Sequence, residues 1–231
     1  MTTGPVDIVG LTRSLVDIDS TTGGEGACGR WLADYLRGRG WSVEEQRVDS
    51  TRFNVLAMHP APRTPHPAPR TLPPAPSVVF STHFDCVPSF FPSRVEGDRL
   101  FGRGSCDAKG ILAAQVSAAE QLRHDGESRV GLAFVVGEER GSDGARVANA
   151  AAAAGSGARF LINGEPTDNR LGLATRGILR LKLRASGRAA HSSFPELGDS
   201  AIDKLIDALI ELRTIALPAI RCSDRRTTRS V

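Results

Sequence analysis

The sequence predicts an α/β fold, a sheet covered by helices, on three observations. Between residues 77 and 163, strand-length apolar runs alternate with helical stretches in the order β-α-β-α-β, the pattern of a sheet under helices. Three of those runs end on imidazole or carboxylate groups: Val78–Thr82 on His83 and Asp85, Leu132–Val136 on Glu138 and Glu139, Phe160–Ile162 on Glu165. A glycine-rich segment, Gly102–Gly110, carries Asp107 into the head of a helix. Ligands of such sheets bind outside the carboxyl ends of the strands, so these residues describe one candidate site on one rim.

Each element has its own warrant. Residues 5–19 place Val6, Val9, Leu11, Leu15, Val16 and Ile18 at amphipathic helical spacing. A second helix is expected over 26–38, with Trp31, Leu32, Tyr35 and Leu36 on one side and Gly38 and Gly40 as its stop. Residues 41–48 alternate as a partly exposed strand, and 53–58 form another. The stretch 59–76 holds eight of the 14 prolines and repeats His-Pro-Ala-Pro-Arg-Thr in tandem. Proline removes a ladder donor, so this stretch is expected to be an exposed loop joining two strands. Strand 77–82, helix 108–124, strand 129–136, helix 141–154 and strand 158–163 then follow. Residues 177–185 alternate apolar and basic, like a half-exposed strand of a second sheet. A last helix is expected over 199–215, from Ile202, Leu205, Ile206, Leu209, Ile210 and Leu212, and residues 221–231 read as a frayed tail. The domain expectation is a larger portion over 1–175, which holds the candidate site, and a smaller portion over 176–231 with the irregular tail.

Composition narrows the function. A chain of 231 residues has room for one sizeable core and a small second lobe. Its formal charge is +3, its basic residues are dispersed and its aromatics few, so nucleic acid is not an expected partner. No run approaches the roughly 18 apolar residues of a membrane span, and the first residues lack a basic region followed by an apolar core. The cysteines, at 28, 86, 106 and 222, match no disulfide framework or zinc ribbon. A reducing cytoplasm is the simplest expected location.

The candidate site residues suit metal-assisted hydrolysis. His83 and Asp85 are two apart and share a face if they end a strand. An aspartate so placed can fix the tautomer of a metal-ligating histidine. A carboxylate such as Asp107, in a glycine-rich approach, can bridge two cations about 3.5–4 Å apart. The adjacent pair Glu138 and Glu139 diverges, so one can hold a cation while the other serves as general base. Each motif also has a plainer reading: a surface turn for His-Phe-Asp, a phosphate loop for 102–110, a solvated pair for Glu138 and Glu139. The phosphate loop lacks the spacing with Ser or Thr after Lys.

Together the motifs resemble the M20 metallopeptidase family, which includes acetylornithine deacetylase, succinyl-diaminopimelate desuccinylase, aminoacylase and glutamate carboxypeptidases. His83-Phe84-Asp85-Cys86-Val87-Pro88 resembles its HxDxVP motif, and residues 102–110 its GRGxxDxKG motif. Glu138 to Ala145 resembles EExGSxGA, Gly164-Glu165-Pro166-Thr167 the GEPT segment, and 187–195 the GxxAHSSxP motif that opens the family's lid domain. The resemblance implies a three-layer zinc-peptidase-like catalytic domain, incomplete, followed by the first part of an α+β lid. It implies two Zn2+ ions, with Co2+ as a substitute. His83 and Glu165 would hold one, Asp107 would bridge, and Glu139 would hold the other. Glu138 would be the general base, Asp85 would orient His83, and His191 would donate to the substrate oxyanion. The implied substrate is an N-acyl amino acid or small peptide, the implied assembly a homodimer through the lid, and the Asp107–Ala108 peptide is expected to be cis.

The chain also departs from the pattern. Relatives are longer, and the segment that returns after their lid supplies a last histidine to the cation at the Glu139 position, whereas no histidine follows His191 here. The chain therefore reads as a C-terminally truncated member that holds one zinc and hydrolyses poorly. The alternative is an impaired remnant that only binds metal weakly or dimerises. Cys86 and Cys106, which flank the site, are expected to be small buried packers.

Overall fold

The structure, a computed structural model, describes residues 4–59, 76–152, 158–172 and 180–216. It forms two compact units, Met1–Gly172 and Leu173–Val231. The proline-rich repeat and the basic tail lie outside the described residues, as do 153–157, where the fourth helix was expected to end.

In the first unit, α1 (Ile8–Val16) starts where the Asp7 side chain accepts the Gly10 N–H, and it buries Leu11, Leu15 and Val16. It is shorter than the expected 5–19 because that cap fixes its start. Helix α2 (Gly26–Gly38) ends before Gly40, whose φ of 86° leaves the right-handed region. Strands β1 (Ser42–Arg47), β2 (Phe53–Met58), β3 (Val78–His83), β6 (Val130–Val135) and β7 (Phe160–Asn163) form one sheet in the order β1-β2-β6-β3-β7. A separate two-stranded ribbon joins β4 (Arg94–Glu96) to β5 (Arg99–Phe101). The sequence reading missed this ribbon. Its one signal is the Gly97-Asp98 pair, with Gly97 at φ 61°.

Strands β1 and β2 pair antiparallel, as do β2 and β6, while β3 pairs parallel with both β6 and β7. The carboxyl ends of β3, β6 and β7 therefore share a rim. Helices α2 and α3 (Lys109–His124) lie over one face, and α1 packs on α3. Their buried Leu32, Leu36, Leu112 and Val116 join Val55, Leu132 and Phe134 of the sheet in one cluster. Full burial of such a side chain is worth about 1.5–3 kcal/mol. Alternation along β2 turns Asn54 to the opposite face from Val55. There its amide donates to Gly144 O at 2.8 Å, at the head of α4 (Asp143–Ala152). Helices on both faces make this unit a three-layer α/β domain.

The second unit holds α5 (Ala201–Thr214), whose N-terminus is capped by Ser200 Oγ accepting Asp203 N–H at 3.1 Å. A short 3-10 turn spans Pro195–Leu197, and Arg188 and Asp199 form an isolated antiparallel bridge. The strand expected over 177–185 does not form in its described part, 180–185. A strand needs a ladder partner for its backbone groups, and among the described residues none runs beside it. Apolar positions of α5 are exposed: Ile202 is 70% exposed, Leu209 51% and Ile210 56%.

Candidate metal centre

The parallel strands deliver the candidate side chains as their order requires. His83 is the last residue of β3 and is 1% exposed. Its Nδ1 lies 3.0 Å from the Asp85 carbonyl oxygen and 3.3 Å from Asp85 Oδ1. That leaves Nε2 facing outward, 3.0 Å from Asp107 Oδ1 and 3.9 Å from Glu165 Oε2. One donor atom from each of His83, Asp107 and Glu165 lies within 4.8 Å of the other two.

Asp107 is brought in by a tight loop. Gly104, at φ 86°, brings its backbone beside Cys86, where an added Cβ would sit 2.5 Å from Sγ. The Asp107–Ala108 peptide is cis, in line with expectation, and Pro88–Ser89, for which there was none, is cis as well. The fully buried Lys109 follows, and its Nζ donates to Leu15 O at 2.9 Å and Ile18 O at 3.1 Å. Glu165 follows β7. Gly164 N–H donates to Ser81 O at 2.8 Å and Thr82 Oγ1 donates to Gly164 O at 2.7 Å, which fixes the main chain beside it.

Glu138 and Glu139 form a 3-10 turn after β6 that starts from Gly137 in the left-handed region, φ 72°. Asp85, fully buried, receives that turn: Glu138 N–H donates to Oδ1 at 3.0 Å and Glu139 N–H to Oδ2 at 3.2 Å. Thr22 Oγ1 donates to Oδ2 at 2.8 Å. Sequence reasoning missed Thr22, because nothing distinguishes its segment from an ordinary turn. Glu139 and Asp107 line a cavity of about 200 Å³ together with Val87, Gly102 and Cys106. Cys106 is exposed, not a buried packer as expected, because it lines that open cavity instead of packing into the core; Cys86 is buried. His191 lies in the second unit, exposed, with Nδ1 accepting Ser193 N–H at 3.2 Å.

The electrostatics are those of crowded carboxylates around one imidazole. Burial lifts the Glu139 carboxyl above its ordinary range, and the Asp107 charge adds to it. Burial also lifts Glu165, against the pull of His83. Burial works against the His83 cation, but Asp85, Glu165 and Asp107 outweigh it and raise the imidazole to about 9. Burial opposes the Asp85 anion too, yet its bonds from His83 and Thr22 hold its pKa below the ordinary value. One nitrogen and two carboxylate oxygens suit a divalent cation of the zinc type. Ligands about 2.1 Å from such an ion at tetrahedral angles are about 3.4 Å apart, and the 3.0 and 3.9 Å separations bracket that value.

Comparison with known proteins places the chain in a family. Residues 79–224 match Peptidase family M20/M25/M40, so the chain belongs to that family and its lineage is that of metallopeptidases. It is 38% identical over 215 residues to a peptidase M20 domain-containing protein of Schizosaccharomyces pombe, a match spanning 92% of this chain and 51% of that one. It is also 38% identical over 217 residues to a probable carboxypeptidase of Aspergillus flavus, spanning 85% of this chain and 48% of that protein. The chain thus spans about half the length of the curated relatives it matches. Among solved structures it resembles a Staphylococcus aureus tripeptidase, with TM-score 0.63, 19% identity and coverage of 90% of this chain and 57% of that one. It resembles aminopeptidase PepT of Bacillus cereus with TM-score 0.58, 19% identity and coverage of 95% and 60%. Those two likenesses speak for the shared fold.

Proposed function

We propose that the first unit is the cation-binding part of a hydrolase that cleaves the amide bond of a small peptide or an N-acyl amino acid. The observation that carries the reading is the convergence of His83 Nε2, Asp107 Oδ1 and Glu165 Oε2 within 4.8 Å at the rim of a peptidase-family sheet. These three would hold a zinc ion, with cobalt as a substitute, and a bound ion supplies Lewis acidity for amide hydrolysis. Asp107 and Glu139, which share a cavity wall, would offer a second ion only two carboxylates, so the reading is one tightly held cation per chain.

The chain's own residues supply the rest. Asp85 holds the His83 ring with Nε2 outward. Glu138, carried on the turn bonded to Asp85, takes a proton from the attacking water and returns it to the amine nitrogen as the C–N bond breaks and a C–O bond forms. His191 would donate to the carbonyl oxygen as negative charge develops there. In this reading residues 1–175 are the catalytic portion and 176–231 the start of a lid through which two copies pair, in the cytoplasm. The exposed apolar side of α5, including Ile202, Ile206, Leu209 and Ile210, supports a pairing role.

The test is a zinc count by elemental analysis on the purified chain and on His83→Ala, with hydrolysis of N-acetyl amino acids and dipeptides followed in parallel. One zinc per chain, lost in His83→Ala, is expected. Uptake of no zinc, or an equal count in the variant, would refute the site. Any hydrolysis by the parent is expected to fall about 10²–10⁴-fold in Glu138→Gln with zinc retained.

A further inference from the structure

The loop between α1 and α2 is stitched to the strand end that carries His83. Cys86 N–H donates to Ser20 O at 3.0 Å, Thr22 N–H returns to Cys86 O at 3.0 Å, and Ser20 Oγ donates to Phe84 O at 2.6 Å. Residues 20–22 therefore run beside 84–86, with a parallel bridge between Thr21 and Cys86. The loop is also held internally. Asp19 Oδ1 accepts Thr21 N–H at 2.9 Å and Thr21 Oγ1 at 2.7 Å, and Glu25 Oε2 accepts Gly23 N–H at 2.8 Å.

In that setting Thr22 Oγ1 lies 2.8 Å from Asp85 Oδ2 and 3.3 Å from Cys86 O. Its single proton goes to the nearer acceptor, which is also the charged one. The Asp85 carboxylate then has three hydrogen-bond donors, Glu138 N–H at Oδ1 and Glu139 N–H and Thr22 at Oδ2, while His83 Nδ1, bonded to the Asp85 carbonyl oxygen, lies 3.3 Å from Oδ1. Three of the roughly four lone-pair positions of a carboxylate are thus taken, and the imidazole stands beside the fourth. The imidazole and the two backbone donors belong to the candidate site itself, and Thr22 comes from elsewhere in the chain.

We propose that Thr22 is a positioning residue for the metal centre. Its hydroxyl fixes the rotation of the Asp85 carboxylate, and through that plane it sets both the His83 ring and the Glu138–Glu139 turn. The carboxylate torsion is intrinsically broad. Without Thr22, Oδ2 keeps only the 3.2 Å bond from Glu139 N–H, so the hold on the plane beside His83 is looser. Loss of an outer partner of a metal ligand costs about 10–100-fold in metal affinity. This role rests on the reading of His83, Asp107 and Glu165 as cation ligands.

Zinc affinity of the 231-residue chain, measured by competition with a chromophoric chelator, tests it. Thr22→Val keeps the shape and removes the hydroxyl, and because Thr22 acts through Asp85 on the ligand His83, binding weaker by about 10-fold, the lower end of that range, is expected. Thr22→Ser, which keeps the hydroxyl, is expected to bind close to the parent. So is Thr21→Val, which strips a hydroxyl from the same loop but not from Asp85. Thr22→Ala against Thr22→Ser compares one oxygen atom and stands in if the valine variant does not fold. Melting of Thr22→Val near the parent's temperature in excess chelator, together with weakened zinc binding, separates positioning from folding. Zinc binding by Thr22→Val or Thr22→Ala as tight as the parent's overturns the proposal, as does an equal loss in Thr21→Val. A parent chain that takes up no zinc overturns the metal centre itself and the role of Thr22 with it.

Discussion

Asn54→Ala tests how the turn carrying Glu138 and Glu139 is supported. Asn54 is fully buried on β2. Its Oδ1 accepts Val136 N–H at 3.2 Å, and its Nδ2 donates to Gly144 O and to Gln46 Oε1, each at 2.8 Å. Val136 and Gly144 bracket the turn, and both are buried. Truncation leaves the Val136 N–H without its acceptor, at about 1–3 kcal/mol for an unsatisfied buried donor, and removes two further bonds worth about 0.5–1.5 kcal/mol each. The sum is about 2–6 kcal/mol, a large part of the 5–15 kcal/mol stability of an ordinary domain. For a chain of this size that corresponds to a melting temperature lower by roughly 4–24 °C. Urea unfolding followed by circular dichroism measures it. A loss below about 0.5 kcal/mol, the range of an indifferent surface substitution, would show that the turn does not depend on Asn54.

Other expectations follow from the same geometry. Leu112→Ala, at a fully buried position of α3, should cost about 2–5 kcal/mol in the same unfolding assay. Gly104→Ala places a Cβ 2.5 Å from Cys86 Sγ at a left-handed φ, so the loop must shift and zinc affinity should fall; unchanged affinity would mean the loop does not aim Asp107. A thiol reagent at pH 8 should label exposed Cys106 well before buried Cys28, whose thiol burial pushes up to about 11, and mass spectrometry of peptides after brief exposure reads the order. Burial lifts the Glu25 carboxyl above its unfolded value, so its contribution to stability is present at low pH and is lost as pH rises through the lifted pKa. The stability of the parent relative to Glu25→Gln should accordingly fall between acidic and neutral pH, and a constant difference would contradict this.

Much of the candidate site was legible because its residues sit where strand periodicity ends. The apolar runs before His83, Glu138 and Glu165 mark strands, and parallel pairing brings their carboxyl ends to one rim whatever the loops do. What stayed hidden depends on contacts across the chain. Thr22 reaches Asp85 across 63 positions, and no local pattern marks a hydroxyl that will meet a carboxylate so far away. The strand expected over 177–185 erred in the other direction. Alternation describes a surface that could be half buried, but a strand exists only if a neighbour accepts its backbone bonds, and local sequence does not say whether one is present. Cys106 followed the same logic, since residue type alone does not reveal whether a side chain lines a cavity or packs into the core.

Strand β7 sits at one end of the sheet order, and Phe160, Leu161 and Ile162 are 60%, 66% and 52% exposed. Strands with one ladder and little burial open most readily, so their amides trade hydrogen with solvent sooner than those of a central strand such as β6. The same strand leads directly to Glu165. Two of the proposed centre's converging donors, from β3 and the head of α3, sit beside the buried core, while the third hangs on an end strand of the sheet. A cation gripped by all three donors must hold β7 closed, and whatever else holds β7 closed must, by reciprocity, tighten the grip on the cation. In the proposed centre, ion occupancy and protection of the β7 amides would be two readings of a single equilibrium.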